Sequence, residues 1–305
     1  MRTPVPANRF PDFVHGLVAQ LRAFAPAMGK VRIAHLLARA WLHLAPTTVR
    51  RWTRTGVTPP MPAPLAPGKT RSGTTIVAKR ADHVWGIDLT VAPTSGWWTP
   101  WKPHAVLPVW PFCWWVAAVV DAYSRAVVAF AVFRSQPSGE EIATSLERAV
   151  VGHRRQPAHI VSDQGAQFRV DYRAWCAGRG IKTRYGAVGR YGSVAIIERF
   201  WRSLKAETFG PRLVPVGTPE MRAALSGYIG WYNAERPHQG LGGATPLERA
   251  SGGMPAKDRP RLDPRARYPD TALVKLRKRR PTHLRLRLTR PDGAPHLPVV
   301  RLDAA

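Results

Sequence analysis

The sequence predicts a mixed α/β domain set between two basic ends, a helical one in front and a β-rich one behind. Two observations carry this. Strand-like and helix-like hydrophobic periods alternate from His83 to about Glu248, the pattern of a mixed sheet with flanking helices. Charge is also uneven: residues 1–80 carry a net +12, residues 81–254 only +6, and residues 255–305 +9. The middle holds 13 of the 19 acids, so acid chemistry is expected there.

The formal net charge of +27 calls for an anionic partner. A composition that is 45% hydrophobic with 12 Trp is too apolar for a disordered polycation. A folded nucleic-acid-binding protein is the class that remains. A membrane-surface protein is the rival, but its most apolar stretch, Ala105 to Phe133, is broken by Pro108, Pro111, Asp121 and Arg125, and no signal-peptide pattern opens the sequence,. The expectation is a cytoplasmic protein at DNA or RNA, with no membrane partner. Only Cys113 and Cys176 occur, which excludes a disulfide framework and a four-ligand Cys/His zinc module. Metal, if used, is held by carboxylates.

The first element is helical: Ile33, Leu36, Leu37 and Ala40 fall at helical spacing,. A turn around Leu42 to Ala45 follows, and Thr47 or Thr48 is expected to cap a second helix with Val49 and Trp52 inside and Arg50, Arg51 and Arg54 outside,. This is a helix-turn-helix pattern with arginines on the helix that would enter a groove. On pattern alone a plain helical hairpin fits equally well, and the charge of +12 favours DNA. The Pro/Gly-rich string between Gly56 and Gly73 reads as an extended linker,. Residues 83–91 then read as a strand with Val84, Gly86, Asp88 and Thr90 on one face. A hairpin follows around Asp121 to Arg125, and Ser138 with Glu141 makes a capping box for a helix from Gly139 to about His153,. His159 to Asp163 is a short strand ending in a carboxylate, with helices near 168–178 and 194–209. At the far end Leu284, Leu286 and Leu288 alternate with Arg285 and Arg287, and a turn signal precedes a second strand-like run, so a hairpin with an arginine-lined face is expected,. The run 275–280 adds five basic residues.

Three acids stand out by position. Asp88 lies inside an apolar strand, Asp163 closes another, and Glu198 lies near the start of a helix. That helix packs through Ile197, Phe200, Trp201, Leu204 and Thr208, while Glu198, Arg202 and Lys205 form the neighbouring stripe, which could take phosphate,. Carboxylates held together repel one another and pay desolvation unless a cation lies between them. Oxygen-only ligands suit Mg²⁺ or Mn²⁺, and two such ions can hold the attacking and leaving oxygens of a phosphodiester displacement. Singly, each acid has a plainer explanation: a strand Asp bonding a backbone amide, an Asx turn, or an i, i+4 pair of Glu198 with Arg202. Their joint arrangement favours chemistry.

In order, WGIDLT, VVDAYSR, IVSDQGAQF, GSVAIIERFWRSLKAE and YNAERPHQGLGGATPLE resemble the integrase core of bacterial insertion-sequence transposases, the retroviral-integrase-like group with an Asp-Asp-Glu triad. The resemblance spans about 83–249. It implies an RNase H-like mixed five-stranded sheet with flanking helices, with Asp88, Asp163 and Glu198 as catalytic metal ligands and two Mg²⁺ or Mn²⁺ ions. The last two acids are 35 residues apart, close to the family's spacing. It further implies cleavage of double-stranded DNA at element ends, joining of the freed 3′-hydroxyl to target DNA, a homo-oligomer on DNA, and a bacterial, nucleoid-associated location. The expected domains are a helix-turn-helix DNA-binding domain over 1–56, a linker over 57–80, the catalytic core over 81–250 and a basic β-rich segment over 251–305, with DNA contacts from Arg50, Arg51, Arg54, Arg202 and Lys205. A catalytically silent DNA-binding regulator and a structure-specific nuclease on the same fold are the alternatives.

One departure concerns Gly192 and Ser193, which stand where many relatives have an Asn shortly before the glutamate. Asp121 is expected to be structural, at the start of a hairpin turn. Thr245 and Glu248 form a capping box that explains much of the last motif, and phosphate contact by Arg236 or His238 stays open. Six Trp fall between 97 and 115; packing, rather than base stacking, is the expectation for them.

Overall fold

The computed structural model describes residues 12–53, 77–94, 108–186, 194–209, 214–259, 284–291, 294 and 296–304. They gather into two compact units. One contains the described residues up to 53, then 235–248 and those from 253 on; the other contains the described residues of 77–234 together with 249–252.

The second unit is built on a five-stranded sheet. Its strands are β1 (Val84–Pro93), β2 (Cys113–Asp121), β3 (Val127–Phe133), β4 (His159–Ser162) and β5 (Lys182–Tyr185), in the order β3-β2-β1-β4-β5. β1, β2 and β3 are antiparallel, whereas β4 runs parallel to β1 and β5 parallel to β4. That mixed order with helices on both faces is the RNase H-like arrangement.

The period-two alternation of β1 decides which side of the sheet is dry. Trp85 and Ile87 point into a core shared with Ala117 and Val119 of β2. Helix α4 (Gly139–His153) covers it with Ile142, Leu146 and Val150, and α5 (Val170–Gly178) adds Tyr172 and Cys176. α4 starts where the expected capping box sits: Ser138 Oγ accepts from the Glu141 amide and Glu141 Oε2 accepts from the Ser138 amide. The opposite face carries Asp88, and α6 (Val194–Leu204) packs there against β1 and β2. Ile197, Phe200, Trp201, Leu204 and Thr208 are all buried, so the packing stripe is as expected; one widened turn, Lys205–Phe209, continues α6. Helix α7 (Thr218–Ala234) packs against the edge strand β3. There Asn233 Oδ1 accepts from the Val127 amide and Asn233 Nδ2 donates to the Val127 carbonyl, both at 2.9 Å. A side-chain amide thus stands in for the missing neighbouring strand.

Asp121 ends β2 and is 1% exposed. Its Oδ1 accepts from the Asp82 amide, and its Oδ2 accepts from both the amide and the hydroxyl of Ser124. This closes the hairpin turn and confirms a structural role. Trp114 is fully buried, its indole N–H donating to the Pro215 carbonyl at 2.8 Å. Trp97, Trp98 and Trp101 lie outside the described residues.

In the first unit, α1 (Asp12–Phe24), α2 (Lys30–Arg39) and α3 (Pro46–Trp52) pack together through Val14, Val18, Leu21, Ile33, Leu36, Leu37 and Val49. The expected cap at Thr47 or Thr48 is corrected: the N-cap is Ala45, with no side-chain bond, and Pro46 opens the helix. Proline at the first helical position lacks an amide that would go unpaired there anyway, and its φ is already helical, so Pro46 rather than a threonine marks the start of the helix. Arg50 and Arg51 are exposed while Val49 is buried, as expected; Arg54 lies outside the described residues. The C-terminal hairpin is present as β6 (Leu284–Thr289) paired antiparallel with β7 (Val299–Ala304), with Arg287 opposite Arg301. The basic run 275–280 and most of the linker lie outside the described residues. Glu248 caps its helix with Thr245 and also accepts from Arg39 and Arg259. Arg236 is 3% exposed, its Nη1 3.4 Å from His238 Nε2, which makes it a packing residue rather than an open phosphate contact.

Candidate active site

Asp88 and Asp163 come together through strand register. β1 and β4 pair in parallel, with Gly86 opposite Val161. Two residues further along each chain, the same register sets Asp88 level with Asp163, which follows the last residue of β4. Adjacent strands lie about 4.8 Å apart, so two carboxylates arrive on neighbouring backbones. α6 supplies the third from the covering helix: Glu198 is exposed on the flank of the buried stripe.

Asp88 is the electrostatic centre of the group. Its Oδ1 accepts from the Leu89 amide at 2.8 Å and its Oδ2 from the indole N–H of Trp201 at 3.0 Å. Burial pushes its carboxyl up to about 6; the negative charges of Asp163 and Glu198 push the same way, and the two hydrogen bonds pull back,. The fields of both other acids therefore reach Asp88. Lys205, one turn beyond Trp201, is half-buried; burial lowers its pKa while the charge of Asp88 opposes that. Arg202 is exposed on the same flank. Asp163 is exposed, and its Oδ1 accepts from the Gly165 amide at 3.0 Å in an Asx turn,.

Among the described residues, no three His, Cys, Asp or Glu side chains close into a ready-made metal cage. The donor set nonetheless suits a hard divalent cation. It is all oxygen, and the ionised form of Asp88 is disfavoured by burial and by two like charges, a penalty that a cation between them would relieve,. Trp201 was read from the sequence as packing only; its bond to Asp88 joins residues 113 apart in sequence, and no local pattern could show it. Gly192 and Ser193 lie outside the described residues.

Two family models, each describing an integrase core domain, match residues 78–191 and 179–246. Residues 78–246 thus match an integrase core domain. The integrase core is also similar to an uncharacterized 31 kDa protein of the insertion element IS600 from Shigella sonnei. The two are 26% identical over 187 residues, 60% of this chain and 61% of that protein. Among solved structures it is similar to the HTLV-2 integrase catalytic core domain, at 17% identity, covering 56% of this chain and 98% of that one, with a TM-score of 0.41. The BIV integrase core gives 22%, 56%, 95% and 0.40, and a simian T-cell lymphotropic virus intasome chain gives 16%, 94%, 90% and 0.46. Among the described residues no helix is long and apolar enough to cross a membrane.

Proposed function

We propose that this integrase core is a metal-dependent DNA transposase that cleaves double-stranded DNA at element ends and joins the 3′-hydroxyl to target DNA. What supports the reading is the strand register that sets Asp88 level with Asp163, together with the negative charges of Asp163 and Glu198 bearing on Asp88. These three side chains would hold Mg²⁺ or Mn²⁺, one ion or two. A divalent ion there supplies Lewis-acid polarisation of the scissile phosphate and a more reactive water or hydroxyl. Trp201 fixes the Asp88 carboxylate by donating to Oδ2. Arg202 and Lys205 place positive charge beside the acids, where a DNA phosphate would lie.

The division of labour follows the charge. Residues 1–56 serve as the helix-turn-helix reader, with Arg50, Arg51 and Arg54 as its DNA contacts; 57–80 are the linker; 81–250 hold the chemistry; 251–305 grip phosphate backbone without reading sequence. Joining two element ends to one target needs two such sites, so the working form is a homo-oligomer on DNA, in the cytoplasm at the nucleoid.

The test is cleavage and joining of labelled element-end DNA in metal-stripped buffer with ions added back. Mg²⁺ and Mn²⁺ should support both steps. Ca²⁺, which takes more ligands at longer distances, should bind without supporting either. Asp163→Asn should abolish both steps while DNA affinity stays similar. Near-normal cleavage by a folded Asp163→Asn protein would sink the assignment, and cleavage without joining on any target would favour the nuclease alternative.

A further inference from the structure

A pocket of about 460 Å³ is lined by Gln164, which follows Asp163 in the chain, and by Arg169, Val170, Arg173 and Tyr185. Its size falls within the roughly 300–1,000 Å³ of small-ligand clefts. The two arginines lie at i and i+4, so both guanidiniums rise on one side at the start of α5.

Arg173 is held in place from behind. Its Nε donates to the Tyr185 hydroxyl at 2.6 Å, its guanidinium carbon lies 5.0 Å from the centre of the Tyr185 ring, and Tyr185 Oη donates to the Phe168 carbonyl at 3.2 Å. Among the described residues Arg173 makes its side-chain hydrogen bond through Nε, and the residue lines the pocket. Neither Arg169 nor Arg173 pairs with a carboxylate among the described residues. Arginines nearby do: Arg179 pairs with Glu147, and Arg155 with Asp82. Val170, 77% exposed, adds an apolar wall.

We propose that this pocket binds a non-reacting backbone phosphate of the DNA strand lying across the acids, with the two guanidiniums on the phosphate and Val170 against the adjoining sugar. Gln164 lines the pocket and directly follows Asp163 in the chain, so the phosphate held here flanks the one under attack. Arg173, fixed by Tyr185, acts as a ruler that sets the strand's position along the acids, and Arg169 adds charge. This deepens the DNA-processing reading and rests on it.

The test uses the full chain and duplex DNA in which single phosphates are replaced by neutral methylphosphonates, position by position. Wild type should lose about tenfold in affinity at one phosphate near the cleaved bond, as expected for a charge-assisted contact. Arg169→Gln/Arg173→Gln should bind unmodified DNA about tenfold more weakly and show no further loss at that position. Its salt slope should be shallower by about 0.9, the contribution of one neutralised phosphate. Tyr185→Phe, which keeps the ring but removes the hydroxyl anchor, should blur the cleavage position with little effect on thermal stability. Inorganic phosphate at millimolar concentration should compete weakly, because it lacks the neighbouring sugar. If wild type binds DNA and Asp163→Asn abolishes cleavage, yet the double variant keeps the full methylphosphonate pattern and salt slope, the pocket assignment is overturned while the enzyme reading stands. Failure of wild type to bind DNA overturns both.

Discussion

Replacing Asp88 by Asn should stabilise the metal-free protein. The carboxyl is raised from 3.8 to about 6 by burial and by the neighbouring acids. At about 1.36 kcal/mol for each factor of ten in acidity, the ionised form costs the fold about 3 kcal/mol. The sign follows from the direction. A carboxyl that holds its proton more tightly when folded destabilises the fold increasingly as pH rises above its unfolded value, and the cost is complete once pH exceeds its folded value. Asp88→Asn should therefore be more stable than wild type by up to about 3 kcal/mol near pH 8. The gap should be about half that near pH 5 and almost gone near pH 4. The Asn Oδ1 can accept from only one of Leu89 and Trp201 and Nδ2 then faces the other donor, so the net gain near pH 8 falls below that ceiling by about 1–3 kcal/mol,, while the pH dependence of the gap is unaffected. Urea unfolding of both proteins across this pH range, without and with Mg²⁺, measures the gap directly. Mg²⁺ should stabilise wild type near pH 8 and leave the variant unchanged, while the variant has no cleavage activity. A variant less stable than wild type near pH 8 without metal, or a gap independent of pH, would refute this account of the site.

Three other substitutions separate structure from chemistry. Asp121→Asn removes a buried charge that accepts three hydrogen bonds; it should cost about 2–3 kcal/mol of stability while activity per folded molecule stays near wild type, as read by thermal melts beside single-turnover cleavage. Trp201→Phe keeps a ring against Phe200 but removes the donor to Asp88, and Mn²⁺ binding followed by electron paramagnetic resonance should weaken about tenfold or more; unchanged binding in a folded variant counts against a positioning role. Arg50→Ala and Arg51→Ala in the full chain should erase the preference for element-end over random DNA and leave the melting temperature within about 1 °C; a retained preference removes the helix-turn-helix reading.

Where the sequence was readable, local rules decided the outcome. Ser138 and Glu141 cap α4 because both partners lie within one turn. The alternation around Asp88 placed that acid on the face opposite Trp85 and Ile87 because a strand has no other way to turn its side chains,. α1 went unread, although Val14, Val18 and Leu21 repeat at i, i+4 and i+7 and are fully buried; the periodic signal was there to be used. At α3 the two threonines resemble caps, but Pro46 directly before them opens the helix and leaves Ala45 at the cap position.

What could not be read is long-range. Trp201 and Asp88 lie 113 residues apart, Asn233 and Val127 106, and Arg39 and Glu248 209. Each contact exists only after α6, α7 or α2 has docked, and none leaves a periodic trace. Arg169, Arg173 and Tyr185 belong to the same class, since their pocket requires β5 to return beside the start of α5. This division has a physical consequence for the site. Chemistry demands acids of fixed type at the ends and middles of strands, so their positions can be read as residues out of place in apolar surroundings. Their supports need only reach those acids in space, and an indole, an amide or an arginine can do so from any element that packs there. The acids are thus the legible part of the site. The groups that tune and align them become visible only when the sheet is assembled, and that is where variants that alter metal affinity or strand position, rather than abolish the reaction, are to be sought.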